Sequence, residues 1–110
     1  MAHRGGVALA AVAFVALLLA PPLEEVMYRG LLFDGFKESW GFVPAALVVT
    51  VLFVLVHIFE ISHYWPAAAA IVCLAAATLI VRLRMRSIMA AIVLHVAYNA
   101  GMVLWDLWKL

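Results

Sequence analysis

Apolar residues run along this chain in four long blocks, parted by short polar interruptions. The first block spans Val7 to Leu23, and a helix there would carry on through Phe36. The second spans Phe42 to Phe59, with Gly41 ahead of it and Pro44 in its first turn. The third, Pro66 to Val81, is alanine-rich and thin, and the fourth is Ile88 to Trp108. None shows the period-two alternation of a half-buried strand. In lipid, backbone groups must be satisfied within the segment, so such runs are helices. About 20 apolar residues cross the hydrocarbon. Segments two and four meet that length comfortably, and segment three is short. Pro21-Pro22 would kink the first segment, because proline lacks an N–H and clashes with the preceding turn. The pattern predicts an all-α, multi-pass bundle of about four membrane segments, forming one domain over residues 1–110.

Composition turns that pattern into a class. The 110 residues are 70% hydrophobic and 12% charged, with mean hydropathy +1.20. A soluble domain of this size has too little interior to hide so much apolar surface. The expected location is a membrane, with lipid as part of the solvent, and the cell membrane is the expected one. A formal charge of +1 gives no reason to expect nucleic acid. Cys73 is the single cysteine, which rules out an internal disulfide. The N-terminus imitates a secretory signal, with His3 and Arg4 ahead of an apolar run. Leu18 and Pro21 fit a cleavage site poorly, so an uncleaved first helix is the expectation. Trp40, Trp65, Trp105 and Trp108 fall at segment ends, as interfacial aromatics do. Arg82, Arg84 and Arg86 make a basic loop, cytoplasmic by the positive-inside rule. Arg29 and Lys37 would share its side, and both chain ends would lie outside.

Polar residues inside such blocks are expensive and mark function. Glu24, Glu25 and Arg29 form the first group. Glu25 and Arg29 are i and i+4, share a helix face and can pair. Glu24 points about 100° away on a helix of 3.6 residues per turn. Such a carboxylate in a low-dielectric pocket suits a general base, and the bland reading is a solvated charge cluster at a helix end. Phe53 and His57 repeat the i,i+4 spacing, and a packed or interfacial His is the plainer reading there. His95 and Asn99 repeat it again inside the fourth block, where interhelical hydrogen bonding is the plainer reading. Taken together, an acid, two His and an amide from three helices are an inventory for hydrolysis with activated water. Ser39, Ser62 and Ser87 fall in loops and Cys73 has no neighbouring base, so no nucleophile arrangement is visible.

Glu-Glu-x-x-x-Arg, Phe-x-x-x-His and His-x-x-x-Asn, in this order, resemble the three motifs of the CPBP family of intramembrane proteases. That family includes the CAAX prenyl endopeptidases of the Rce1 type and bacteriocin-processing or self-immunity proteins. The resemblance covers Glu24 through Asn99 and implies peptide-bond hydrolysis within or near the bilayer. The implied substrate is a membrane-associated protein or peptide. Carried over, Glu24 and His57 would activate water, and His95 and Asn99 would stabilise the tetrahedral intermediate. Glu25 and Arg29 would support the site. If a divalent metal such as zinc takes part, Glu24, His57 and His95 are its ligands; metal-free water activation is the favoured alternative. Family members usually carry more helices ahead of the first motif, so a second copy or partner helices would complete the bundle. A non-catalytic immunity or scaffolding protein of the same fold is the second reading. A b-type cytochrome ligated by His57 and His95 is the third, though it leaves Glu24, Glu25 and Arg29 unexplained. The geometry sets one difficulty. With segments two and four parallel, His57 and His95 would differ by more than about 10 Å in depth, unless tilt, a late start to segment two or a broken segment three closes the gap.

Overall fold

The computed structural model describes residues 2–58 and 62–109. The described residues form α1 (2–40), α2 (Phe42–Val56), α3 (Trp65–Arg84) and α4 (Ile88–Trp108), with no strand among them. The side chains of His3 and Arg4, and the expected end of segment two at Phe59, lie outside the described residues.

Helix α1 continues through both prolines to Trp40. Its hydrogen bonding widens to a π pattern over Val15–Leu19 and again over Val26–Leu32. Between these turns, Ala20–Glu25 is a short α stretch that opens on Pro21 and Pro22. Proline's fixed φ suits the first turn of an α stretch. The disturbance expected from Pro21-Pro22 thus takes the form of a π turn just ahead of them.

Chain reversals follow local chemistry. Gly41 has φ +89° and turns α1 into α2 in one residue, a conformation open to glycine. Across that turn the rings of Phe33 and Phe42 meet edge-on, 5.9 Å apart. At the end of α3, Arg86 takes a left-handed φ of 51°. The Ser87 N–H then bonds back to the Arg82 carbonyl at 3.2 Å, closing a Schellman-type end. Ser87 in turn caps α4, its Oγ accepting from the Ala90 N–H at 3.2 Å.

Two segment lengths differ from the expectation. Three described helices are long and apolar enough to cross a membrane: Gly5–Trp40, Trp65–Arg84 and Ile88–Trp108. The thin third segment is therefore a full 20-residue span. Alanine is the best helix former, and Arg82 and Arg84 extend the last turn, where cations suit the helix dipole. Helix α2, expected to be long, has only 15 residues, about 22 Å. It ends because His57 competes for its last carbonyls. The His57 N–H turns to Val54 O at 3.0 Å, and its ring Nδ1 takes Phe53 O at 2.7 Å.

The core lies where the second half of α1 meets α2 and α3. Tyr28, Phe33, Val49, Phe53, Leu74 and Leu79 fill it, and Ala45 and Ala75 permit close backbone approach. Elsewhere large apolar side chains such as Val12, Leu47, Val72 and Leu104 are exposed, as a lipid-facing surface requires. Trp40 stands at one end of the bundle and Trp65 and Trp108 stand at helix ends, all exposed. Asp34 and Arg82 approach to 3.7 Å, which puts the polar end of α1 beside the basic end of α3. Arg29 is fully buried, so it belongs to the core and not to the charge of that face.

The depth difficulty disappears through an offset between helices. Gly30 packs so closely on α4 that a Cβ there would sit 3.1 Å from Ile88 Cδ1. Gly30 is therefore level with the start of α4. From Gly30 to Trp40 the helix runs on for about 15 Å, so α2 starts that much farther out than α4. Returning about 22 Å along α2, His57 comes level with His95, which lies about 10 Å into α4. Glu25, about 7 Å back from Gly30, falls at the same depth.

Candidate active site

That common depth holds a polar cluster built from three helices. Glu25 is wholly buried. Its Oε1 lies 2.7 Å from His95 Nδ1, a hydrogen bond between residues seventy positions apart. Its Oε2 lies 3.6 Å from Arg29 Nε, an ion pair too long for a hydrogen bond. Arg29 donates from Nη2 to Ala75 O at 2.9 Å. Its guanidinium carbon sits 4.4 Å from the Phe53 ring centroid. Nε and Nη1 of Arg29 make no hydrogen bond, so the cation is held by one carbonyl, one carboxylate and the rings of Phe53 and, more distantly, Tyr28. Thr78 also donates to Ala75 O, at 3.1 Å.

Phe53 joins this buried layer to the histidines. It is fully buried, and its ring meets Tyr28 edge-on at 5.4 Å, His57 at 4.7 Å and His95 at 5.8 Å. The sequence singled out Phe53 only as the partner of His57 by spacing. Its contact with Arg29 joins two motifs, and no local pattern announces it.

Glu24 lies on the other side of His95. Its Oε2 is 3.3 Å from His95 Nε2, and its side chain is 28% exposed against 0% for Glu25. It faces a cavity of about 680 Å³. His57, His95 and Asn99 line the same cavity, which continues between α1, α3 and α4 past Ala16 and Leu74 to Trp105. His57 presents its ring with Nδ1 bound to Phe53 O. If Nδ1 carries the proton, Nε2 is left as an acceptor for the cavity. Asn99 donates from Nδ2 to the Ala16 carbonyl at 2.8 Å.

All six residues marked in the sequence thus converge. Glu24, Glu25, Arg29 and His95 form one linked chain, while His57 and Asn99 stand on the cavity wall. Ala16, Tyr64, Tyr98 and Leu74 also line the cavity and were not marked. Ala16 had a weak signal in the spacing of two small residues, Ala16 and Ala20, one turn apart on α1, and the other three had none. A metal held by Glu24, His57 and His95 does not fit this arrangement. His95 turns both ring nitrogens to carboxylates, and the described residues contain no three-ligand group. The same two contacts leave His95 no nitrogen for a haem iron.

Residues 6–101 match the family model for type II CAAX prenyl endopeptidase Rce1-like proteins. The chain belongs to this family. Searches of curated proteins and of solved structures return no match. The Rce1-like match takes in all three motifs, from Glu24 through Asn99. Together with three helices long enough to cross a bilayer, it makes the chain an integral membrane protein of a CAAX-protease family.

Proposed function

We propose that this protein is an intramembrane endopeptidase that cleaves a membrane-associated protein or peptide with water activated by Glu24 and His57. One observation carries the reading. A partly exposed carboxylate faces a cavity inside a membrane bundle, while its sequence neighbour is buried and anchors the histidine between them. Glu24 is then the base and Glu25 is the anchor.

The two contacts of His95 support this division. When Nδ1 of neutral His95 donates to Glu25, its Nε2 lone pair would face the Glu24 carboxylate. One proton between Nε2 and Glu24 removes that repulsion. With it, two carboxylates face one guanidinium and one imidazolium, and the cluster carries no net charge. In the reaction the second oxygen of Glu24 takes a proton from water, with His57 Nε2 orienting that water. The hydroxide oxygen bonds to the scissile carbonyl carbon. Glu24, now neutral, no longer holds the His95 N–H, which turns to the developing oxyanion. Asn99 keeps one amide hydrogen on Ala16 and offers the other to the same oxyanion. Collapse breaks the C–N bond, and Glu24 returns its proton to the leaving amine.

The test uses the purified protein in vesicles with two fluorogenic peptides. One carries a farnesylated Cys-aliphatic-aliphatic-X end, and the other is the same peptide without the lipid. Cleavage of either, seen by mass, supports the endopeptidase, and preference for the first supports CAAX-type specificity. A folded protein that cleaves neither goes against this reading and favours the non-catalytic one.

A further inference from the structure

The Asn99 amide lies 2.8 Å from a backbone carbonyl that its own helix has abandoned. Within the π turn Val15–Leu19 the Ala20 N–H bonds to Val15 O, five residues back. The α-type donor for Ala16 O is therefore spent on its neighbour. The next donor in π register is position 21, and Pro21 has no N–H. Ala16 O is left without a helical donor at membrane depth, where an unsatisfied carbonyl is costly. The Asn99 carboxamide fills the vacancy from α4. Pro21 is itself fully buried, three residues ahead of Glu24 on the same helix.

We propose that Pro21 is a positioning residue for Asn99: by stripping Ala16 of its donor, it creates the acceptor that fixes the Asn99 amide on the cavity wall. One hydrogen of the amide is committed to Ala16, so the second has a defined direction. Pro21 touches no substrate and acts only through Asn99. The inference rests on the oxyanion role proposed for Asn99 where rate is concerned. The hydrogen-bond assignment stands apart from it.

The variant Pro21→Ala separates the two. Alanine restores an N–H at position 21 and suits a helix better than proline, so a purely structural role for Pro21 predicts unchanged or higher thermal stability and unchanged turnover. Positioning predicts the same stability with kcat lower by about tenfold at constant KM, because the amide is no longer pinned. Pro22→Ala is the control. It changes the same helix by the same chemistry but cannot supply Ala16, so its kcat should stay near wild type. Asn99→Ala should lower the melting temperature in the wild-type background and lower it much less on Pro21→Ala, where the new N–H serves Ala16. Pro21→Ala should add little to the rate loss of Asn99→Ala. An Asn99→Ala cost that is equal in both backgrounds overturns the assignment. Equal kcat losses in Pro21→Ala and Pro22→Ala, or none in Pro21→Ala, overturn the positioning role. If the wild type cleaves neither fluorogenic peptide, the proposed function fails, and the melting-temperature cycle alone decides whether Pro21 supplies the acceptor for Asn99.

Discussion

Glu24 and Glu25 are adjacent in sequence and occupy different layers of the bundle. The inner layer holds Glu25, Arg29, Ala75 and Phe53, has no exposure, and ties α1 to α2 and α3. The cavity layer holds Glu24, His57 and Asn99, which are partly exposed around a cavity of about 680 Å³. His95 stands between them with one nitrogen turned to each glutamate. The difference teaches how a membrane bundle can use ionisable groups twice. A 100° step along one helix sends the first carboxylate to chemistry and the second to architecture. The inner layer should fail by unfolding, and the cavity layer chiefly by losing rate, with Asn99 also giving up the stability of its bond to Ala16.

The inner layer should break most severely. Arg29→Ala leaves Glu25 buried without its guanidinium partner, a loss on the order of 3–5 kcal/mol for a broken buried pair. Thermal unfolding in detergent measures it, and a stable Arg29→Ala would show that the pair does not hold the fold. The cavity layer should respond differently. Asn99→Ala should lower kcat about 10²–10³-fold at nearly constant KM, as for loss of one oxyanion donor. Asn99→Asp should be slower still, because it puts a negative charge where an anion forms. A folded Asn99→Asp enzyme with normal kcat would end that role. The smallest effect belongs to the polar end of the bundle. Asp34 is mostly exposed beside Arg82, so Asp34→Asn should cost less than about 1 kcal/mol and leave turnover alone. A larger loss there would mean that the offset between α1 and α3 depends on this pair.

Much of the inner layer was legible in the sequence, since a helix of period 3.6 puts Glu25 and Arg29 on one face whatever surrounds them. The same rule placed His95 beside Asn99 and Phe53 beside His57. It does not say how far one helix slides along another. In the structure Gly30 lies against Ile88, a register that brings Glu25, His57 and His95 to a common depth. Segment lengths were misread for a related reason. Hydropathy continues through His57, but the His57 ring takes the Phe53 carbonyl and stops α2. Asn99 was legible as an interhelical hydrogen bonder as well as an oxyanion donor, but its acceptor was not, because the bond to Ala16 depends on a π turn that composition does not reveal.

The division of labour between the two glutamates is tested most directly by Glu24→Gln and Glu25→Gln, compared for melting temperature and for hydrolysis of the farnesylated peptide per folded molecule. Both substitutions keep shape and remove charge. Glu24→Gln should melt like the wild type and show no turnover above background. Glu25→Gln should lose on the order of 3 kcal/mol of stability through the uncompensated Arg29, while its folded fraction still cleaves. Turnover in Glu24→Gln, or a Glu25→Gln protein as stable as the wild type, would contradict that division.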